Sequence, residues 1–582
     1  MGQADRQLHE AAGGSAQEAA RRAFQEDGGS QVRGCVAGAD AQARHAHWPA
    51  GVEGPAARCG QVSGTGWHEG PTVTDQIEAY VNAAAAVFGT PHADRAPLWS
   101  QRLASALPDL QRLANADTGD DCPPIGPATA GALPAGTAPH SGSLYRLAQD
   151  VSRGRTDPVA RVEAALAATD AGAALNAMRH VDAMGAIEQA RALRDRAARG
   201  ERVGRLAGVL VAVKDCLAVA GMPLTFGTRS LPVQRPASSA ECVQRLQRED
   251  AIVVGMTTMH ELAYGATTDN PHDGRVRHPG RGERLAGGSS GGSAVAVATG
   301  MADIALGTDT AGSVRMPAAL CGISGFKSSF GLIPLEGVLP LAWSLDHVGT
   351  FAKSALDHVL LTEIMAGLPE GALARPAAAD LRAFAVSNYF LDPIDPEVRE
   401  IYEAALDKLR RAGVSIDAGA VDAVELAPTL QFFTICAEAA QVHMDRGLRR
   451  PEGLGDEVRV RLETGQFLRA VDYIKAQRLR GTLRSSLHAP LQKGADVLIT
   501  PAVVTPAPEP GPTVEIGAGT FPIHPALTRC TLPFNLTGMP AITVPCGRTQ
   551  LGLPVGLQLA GTCGDDAQLL AAAARFETIL GA

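Results

Sequence analysis

Two serines that lie in clusters of small residues, Ser289 and Ser313, are the first residues of the chain whose setting suggests chemistry. Ser289 belongs to the run GGSSGGS, and Ser313 ends the run TDTAGS, 24 positions further along. Small side chains let the backbone approach a ligand closely, and such loops can aim several backbone N–H groups at one point. The two clusters therefore suit a serine nucleophile that attacks a carbonyl carbon, with N–H groups stabilising the oxyanion that forms.

A serine hydroxyl is unreactive until a neighbouring base takes its proton. Ser313 is the better nucleophile candidate, yet no GxSxG run surrounds it, and the spacing of the 15 histidines suggests no Ser–His–Asp triad. Lys214 follows the apolar run LAGVLVAV, and a buried lysine with a lowered pKa can act as a base. The alternative is a lysine that points into solvent from the end of a strand or pairs with Asp215.

The segments around these residues alternate between strand and helix patterns. Short apolar runs predict buried strands, and amphipathic stretches between them predict helices. The predicted strands are Leu206–Val213, Ala251–Val254, Ile304–Leu306, Val414–Ile416, Val497–Thr500, Ala541–Val544 and Gly552–Leu559, and the predicted helices include Ser143–Arg153, Asp157–Ala168, Asp182–Ala198, Ser239–Arg248, Gly292–Thr299 and Pro396–Ala412. This alternation is typical of a layered α/β domain, which we place at residues 141–582.

The first 140 residues differ in character from the rest of the chain. Residues 1–72 show no helical or strand period, and we expect them to be a disordered extension. Residues 73–117 carry two amphipathic patterns, from Thr74 to Phe88 and from Leu98 to Leu113, which predict a pair of helices that must dock on a larger body. Residues 118–140 are rich in Ala, Gly, Pro and Thr, which predicts a linker.

The overall composition narrows the classes of function. A formal net charge of −9 argues against nucleic acid as a partner, because phosphate binding needs a concentrated basic surface. No run of about 20 apolar residues could span a membrane, and the N-terminus lacks the apolar core of a signal peptide. The ten cysteines form no CxxC pair, so we expect reduced thiols in a cytoplasmic protein and no metal centre.

Three ordered blocks of the chain resemble the amidase signature family. The first is LAGVLVAVKDCLAVAGMPLTFGT, the second is GGSSGGSAVAVATG with ALGTDTAGSVRMPAALCGISGFK, and the third comprises DVLITP and NLTGMPAITVPCGRTQLGLPVGLQLAG. The resemblance runs from about Ser141 to the C-terminus. It implies an α/β amidase-signature fold, in which a large mixed twisted β-sheet is covered by helices on both faces.

The same resemblance implies roles for particular residues. It identifies Lys214 as the general base, Ser289 as a bridging serine on a cis peptide bond, and Ser313 as the nucleophile. The implied oxyanion hole is formed by backbone N–H groups, those of Thr310, Ala311, Gly312 and Ser313. Asp309 and Arg315 are expected to pair and fix this loop, and no metal or organic cofactor is implied.

Other positions bear on the substrate. Tyr264 lies in a stretch that resembles the family's pocket wall, and a structural role for it stays open. Ala311 stands where glycine is common and Lys327–Ser329 reads KSS where Lys-Pro-Thr is common, which affects the expected pocket shape rather than the triad. Thr528 and Arg529 occupy the region in which the glutaminase component of the tRNA-dependent amidotransferase carries an acid for the glutamine amino group. A guanidinium there favours a carboxylate or a neutral substrate instead.

These features predict hydrolysis of the C–N bond of a small carboxamide or ureido-type amide to a carboxylate and ammonia or an amine. Two alternatives stay open: the glutaminase subunit of a tRNA-dependent amidotransferase, and a non-catalytic assembly module that retains the fold. Residues Asp75–Asn115 resemble, at IEAYVNAAAAVFG, the small helical partner subunit of carboxybiuret hydrolase, which implies support supplied in cis. We expect a small-molecule amide as the partner, with no nucleic acid and no membrane, and a homodimer stays open.

Overall fold

A computed structural model describes residues 73–88, 95–116, 142–444 and 446–581. The structural unit that contains them is Glu69–Ala582. The extension predicted at residues 1–72 and the linker predicted at residues 118–140 lie outside the described residues.

A mixed sheet of eleven strands is the frame of this unit, and two small hairpins accompany it. The strands are β1 (Met178–Val181), β2 (Leu210–Lys214), β3 (Ile252–Thr257), β4 (Asp269–Asn270), β5 (Gly274–Arg275), β6 (Ile304–Thr308), β7 (Ser324–Lys327), β8 (Val348–Ala352), β9 (Arg382–Val386), β10 (Ser415–Gly419), β11 (Val497–Pro501), β12 (Thr513–Ile516), β13 (Gly519–Pro522), β14 (Ala541–Arg548) and β15 (Pro554–Ala560). The order in the large sheet is β1-β3-β2-β6-β8-β7-β14-β15-β11-β9-β10. Strand β2 pairs in parallel with β3 and β6, whereas β6, β8, β7, β14, β15 and β11 are joined by antiparallel pairs.

The central strands are buried along their whole length, which requires cover on both faces of the sheet. Every residue of β2, β3, β6, β7, β8 and β11 is buried. Apolar side chains of β-branched type dominate β2 and β3, and these are the runs from which the sequence predicts strands. The predicted α/β class with a large mixed sheet is confirmed.

The helices that supply this cover are distributed along the whole described chain. They are α1 (Val73–Phe88), α2 (Ala96–Ser105), α3 (Leu107–Asn115), α4 (Ser143–Ser152), α5 (Pro158–Ala171), α6 (Ala183–Ala198), α7 (Glu241–Arg248), α8 (Gly291–Ala298), α9 (Arg315–Cys321), α10 (Asp357–Ala366), α11 (Pro396–Arg411), α12 (Ala427–Met444), α13 (Asp456–Thr464), α14 (Ala470–Gln492), α15 (Ile523–Thr528), α16 (Leu532–Leu536) and α17 (Asp566–Leu580). None of the described helices is long and apolar enough to cross a membrane.

The N-terminal segment contains three helices, where the sequence pattern predicts two. The second amphipathic run divides at Ala106, because Pro108 stands in the first turn of α3 and cannot continue α2. A small apolar cluster joins the segment to the rest of the unit: Val81, Ala84, Ala96, Trp99, Leu103 and Phe467. Trp99 also donates from Nε1 to Glu463 Oε2 at 2.6 Å, which fixes α2 against α13.

Candidate active site

Lys214 and Thr308 end two neighbouring parallel strands. The register of β2 against β6 aligns Val213 with Leu306, so the carboxyl ends of both strands meet at one edge of the sheet. At that edge Lys214 Nζ lies 2.8 Å from Thr308 Oγ1. Lys214 is fully buried and its neighbour Asp215 accepts hydrogen bonds from Thr225, which excludes a solvated lysine or a Lys214–Asp215 pair.

Ser289 lies in the loop before α8, directly after a cis peptide bond between Gly288 and Ser289. Its Oγ lies 2.7 Å from Lys214 Nζ. Thr268 supports the loop, because its hydroxyl donates to the Gly287 carbonyl at 2.8 Å and accepts from the Gly291 N–H at 3.1 Å. A Cβ at Gly288 would lie 2.5 Å from Thr268 Oγ1, so the close approach of these two segments needs glycine.

Burial changes the proton affinity of Lys214. Desolvation lowers the pKa of Lys214 from 10.5 to about 8, although the negative charges around it, including Asp309 and Asp346, act in the opposite direction. An amine with this pKa is partly neutral near physiological pH. Lys214 can therefore accept a proton through Ser289, to which it is already hydrogen bonded.

Ser313 lies in the loop between β6 and α9, and it is 7% exposed. Its hydroxyl makes no hydrogen bond with any residue that the structure describes. The structure thus brings Lys214 and Ser289 into direct contact, while the Ser313 hydroxyl stays available to a ligand.

The loop around Ser313 presents three unpaired backbone donors. Within the described part of the chain, the N–H groups of Thr310, Ala311 and Ser313 donate to no acceptor, although Thr310 and Ser313 are buried. The fourth predicted donor differs, because the Gly312 N–H donates to Asp309 Oδ1 at 2.9 Å. The prediction that Gly312 belongs to the oxyanion hole is therefore corrected. Glycine is required here for another reason: φ is +118°, and a Cβ would lie 1.8 Å from Thr531 Oγ1.

Asp309 and Arg315 form a fully buried ion pair beneath this loop. Arg315 donates to Asp309 from Nη2 at 2.9 Å and from Nε at 3.1 Å. Asp309 also accepts the backbone N–H groups of Gly312 and Val314, so one carboxylate shapes the loop at both ends of Ser313. Burial by itself raises the pKa of Asp309, but the Arg315 charge and hydrogen bonds outweigh it and hold that pKa well below its usual range.

Several residues that the sequence did not single out complete this support. Arg315 also donates to Gln558 Oε1 at 2.7 Å, to Asn535 Oδ1 at 2.6 Å and to the Thr531 carbonyl at 2.9 Å. A polar residue inside an otherwise apolar strand or helix, such as Gln558 in PVGLQLA, was the only signal that could have identified them. Asp346 accepts from Thr310 Oγ1 at 2.6 Å, and burial raises the pKa of this carboxyl to about 7.

A pocket of about 480 Å³ opens beside the loop that carries Ser289. Its lining consists of polar and charged side chains with a few apolar ones: Thr267, Asp269, Arg275, Leu285, Glu457, Arg461, Pro510, Gly511, Pro512, Ile523 and His524. Thr267 precedes the Thr268 that supports the Ser289 loop, so this pocket wall continues into that loop. Among the residues described, no group of three or more His, Cys, Asp or Glu side chains is arranged to hold a metal ion.

The three predicted pocket residues do not line this pocket. Tyr264 is buried, with its hydroxyl 3.2 Å from Cys436 Sγ. Thr528 donates from Oγ1 to the His524 carbonyl one turn earlier in α15. Arg529 lies over the Tyr389 ring, 4.1 Å from its centroid, and donates to the carbonyls of Tyr389 and Asp392. These contacts give all three side chains structural partners.

Comparison with known proteins places this geometry in a family. The model for the family described as Amidase matches residues 160–570. The A-type subunit of the glutamyl-tRNA(Gln) amidotransferase from Agathobacter rectalis is 31% identical over 441 residues, which cover 69% of this chain and 86% of that protein.

Two solved structures are similar over most of their own length. A crystal structure of an amidase is 36% identical with a TM-score of 0.72, and the match covers 75% of this chain and 99% of that one. A vestigial protein complex that reveals the evolutionary origins of an s-triazine catabolic enzyme is 31% identical with a TM-score of 0.69, covering 76% of this chain and 99% of that one. The family match extends over more than half of the chain, and the chain therefore belongs to the amidase signature family of hydrolases, which act on amide C–N bonds.

Proposed function

We propose that the chain hydrolyses the C–N bond of a small carboxamide or ureido-type amide, with Lys214, Ser289 and Ser313 as its catalytic residues. The observation that carries this proposal is the contact of 2.7 Å between the buried Lys214 Nζ and Ser289 Oγ. It gives a serine loop a base that burial keeps partly neutral, which is the part that the two serine clusters lack by themselves.

The first step is attack by Ser313. Neutral Lys214 takes the Ser289 proton while Ser289 takes the Ser313 proton, and Ser313 Oγ bonds to the carbonyl carbon of the amide. The carbonyl π bond breaks, and its electron pair moves to the oxygen. The unpaired N–H groups of Thr310, Ala311 and Ser313 are the donors that we assign to that oxyanion. Loss of one such donor typically costs roughly 3–4 kcal/mol of barrier.

The second step expels the leaving group and frees the enzyme. The proton held by Lys214 returns through Ser289 to the amide nitrogen, the C–N bond breaks, and ammonia or an amine leaves with an acyl group bonded to Ser313. Water then attacks the acyl carbon and gives its proton to the same relay, which restores the Ser313 hydroxyl and releases the carboxylate. Every proton and bond balances with water as the co-substrate.

The supporting residues have their own place in this proposal. Asp309 and Arg315 position the nucleophile loop, because the carboxylate binds the N–H groups on either side of Ser313. We further propose that the N-terminal helices of residues 73–117 act as a partner in cis, supported by the Trp99–Glu463 bond and the cluster around Phe467. The described cysteines are free thiols, which supports a reducing, cytoplasmic setting.

A second candidate function is the release of ammonia from glutamine, as the glutaminase component of a tRNA-dependent amidotransferase. It is favoured by the amidotransferase relative at 31% identity. Thr528 counts against it, because the chain offers a hydroxyl, engaged with His524, where an acid is expected for the glutamine amino group. A non-catalytic module is disfavoured because Lys214, Ser289 and Ser313 are all present.

An ammonia-release screen tests these proposals together. The full chain is assayed with small amides, ureido acids and glutamine, and Ser313→Ala is the matched control. Release from a small amide or ureido acid that disappears in Ser313→Ala supports hydrolysis. Release from glutamine alone favours the amidotransferase component, and release that persists in Ser313→Ala removes the nucleophile assignment.

A further inference from the structure

We propose that Arg102, from the N-terminal helices, binds a carboxylate of the substrate, so that the substrate is an amide that also carries an acid group. This inference rests on the proposed function and specifies its substrate class. It assigns a binding residue outside the segment that matches the amidase family, which begins at residue 160.

The position of α2 brings Arg102 to the helix that carries the charged pocket residues. Trp99 and Arg95 of α2 both bind Glu463 of α13, at 2.6 and 3.0 Å. Arg102 follows Trp99 by three residues, so it lies on the same face of the helix. On α13 the residues Glu457 and Arg461 line the pocket.

The Arg102 guanidinium has no partner among the described residues. Its Nε is shielded from solvent and donates to nothing, and the residue makes no ion pair there. Burying a polar donor without an acceptor is unfavourable, and buried charges in proteins are normally paired. An acceptor that is absent from the protein itself is therefore expected at this position.

The other charges of the pocket already compensate one another. Glu457 binds Arg461 at 2.5 Å and accepts from His524 Nε2 at 2.7 Å, while Arg275 binds Asp269 at 2.8 Å. His524 Nδ1 accepts the Ala266 N–H, which leaves the single proton of a neutral ring on Nε2, where it is donated to Glu457. The balance leaves one positive charge, on Arg102.

The two histidines of this region add no charge of their own at neutral pH. Burial lowers the pKa of His260 to about 3, and burial with the charge of Arg461 lowers the pKa of His524. Arg102 is near enough to contribute to the lowering at His524 and, after burial, at Arg461. A single unpaired guanidinium within reach of these groups suits one carboxylate, whose two oxygens match its planar donors.

The pocket adjoins the catalytic loop, so a ligand anchored here is also close to the proposed chemistry. Leu285 and Thr267 line the pocket, and the following residues, up to Ser289 and Thr268, form the hydrogen-bonded wall behind the relay serine. A short monoamide of a dicarboxylic acid, or a ureido acid, has the two groups that this arrangement recognises.

The test compares two amides of equal length, succinamate, which carries a carboxylate, and butyramide, which carries a methyl group in its place. The kcat and KM of the full chain are measured for both, with Arg102→Gln as the variant and Arg112→Gln as the control, because Arg112 is a half-exposed arginine of α3 paired with Asp109. We expect Arg102→Gln to raise the KM for succinamate about tenfold to a hundredfold and to leave butyramide within about twofold. Arg112→Gln is expected to change neither.

Equal effects of Arg102→Gln on both amides, or no effect on either, overturn the carboxylate assignment. A binding measurement separates this outcome from a failure of the proposed function. Calorimetric titration of Ser313→Ala with succinamate needs no turnover, and we expect adding Arg102→Gln to weaken that binding by the same factor. Absent binding, or binding that Arg102→Gln leaves unchanged, overturns the inference even if the enzyme hydrolyses other amides.

Discussion

The Thr308 hydroxyl lies 2.8 Å from Lys214 Nζ, on the strand next to the one that the lysine ends. Thr308 is the second partner of the amine, and Ser289 is the first. The lysine is thus held from two sides, one of which belongs to the strand that leads into the nucleophile loop. This arrangement directs the Lys214 lone pair toward Ser289 whenever the amine is neutral.

The Ser313 hydroxyl is expected to be essential for turnover and dispensable for folding. Ser313→Ala should lower kcat at least about a thousandfold, because no other group attacks the carbonyl. The midpoint of thermal unfolding should change by no more than about 2 °C, since the hydroxyl has no hydrogen bond to lose among the described residues. Ammonia release and a thermal melt on one preparation check both points, and activity near the wild-type level would contradict the assignment.

The pH dependence of kcat/KM should report the Lys214 amine. Only the neutral amine accepts a proton, and burial lowers its pKa to about 8, so the rate should rise with pH through a limb near 8 and level off above it. Thr308→Val removes an acceptor that favours the charged amine and should move this limb to lower pH. A limb that appears only near pH 10 would be that of an ordinary lysine and would exclude the relay.

The buried amine also makes stability depend on pH. Since the folded-state pKa of about 8 lies below the unfolded value of 10.5, the unfolded chain binds more protons between these pH values, and stability rises with pH across that window. Lys214→Met removes this dependence, so its stabilising effect should be larger at pH 7 than at pH 10.5, by about 3 kcal/mol. Urea denaturation of both proteins at the two pH values measures the difference, and an equal effect at both would show that the amine titrates normally.

The Thr310 side chain is expected to position one oxyanion donor. Its hydroxyl donates to Asp346 at 2.6 Å, and the same carboxylate accepts the N–H groups of Leu341 and Ala342. Thr310→Val should lower kcat about tenfold with little change in KM, because the donor acts mainly on the oxyanion. Thr310→Ser keeps the hydroxyl and should stay near the wild type; equal losses in both variants would point to the methyl group instead.

The Arg315 network should dominate local stability. Arg315→Met leaves the buried Asp309 without its counter-charge and should lower the free energy of unfolding by about 3–5 kcal/mol. The control is Arg410→Met, which breaks an exposed pair with Asp407 and should lower it by less than about 1 kcal/mol. Urea denaturation followed by circular dichroism compares the two, and similar losses would refute the special place of Arg315.

The N-terminal helices should contribute to stability in a way that the preceding residues do not. Removal of residues 1–72 should leave activity and the unfolding midpoint unchanged. Removal of residues 1–139 takes Trp99 from Glu463 and exposes Phe467, so it should lower solubility or the midpoint. Equal behaviour of the two truncations would refute a stabilising dock.

The sequence predicts the parts of this molecule that local pattern determines. The apolar run before Lys214 predicts β2, and Asp182 and Asp395 stand at the starts of α6 and α11, where their carboxylates accept backbone N–H groups. Strands β7, β8 and β9 are not predicted. They are short, and β7 and β8 are interrupted by glycine, so burial against distant neighbours, rather than their own pattern, makes them strands.

The errors at the site have the same origin in long-range contacts. Nothing local distinguishes the Gly312 N–H from its neighbours, which is why the sequence assigns it to the oxyanion hole, but the Asp309 carboxylate turns this one group away from the others. Arg529 is assigned to the pocket from its place in the chain, yet its side chain lies on Tyr389, which is 140 residues away. No pattern within α15 reports the direction of that side chain.

The contacts of Arg315 also have a consequence for the order in which the protein is made. Three of its partners, Thr531, Asn535 and Gln558, are 216, 220 and 243 residues further along the chain. During synthesis the N-terminal part of the chain emerges first, so the serine loop exists for a long interval before these partners do. The loop that holds Ser313 can reach its final shape only when β15 has left the ribosome. A nascent or prematurely ended chain should therefore carry all three catalytic side chains and yet release no ammonia.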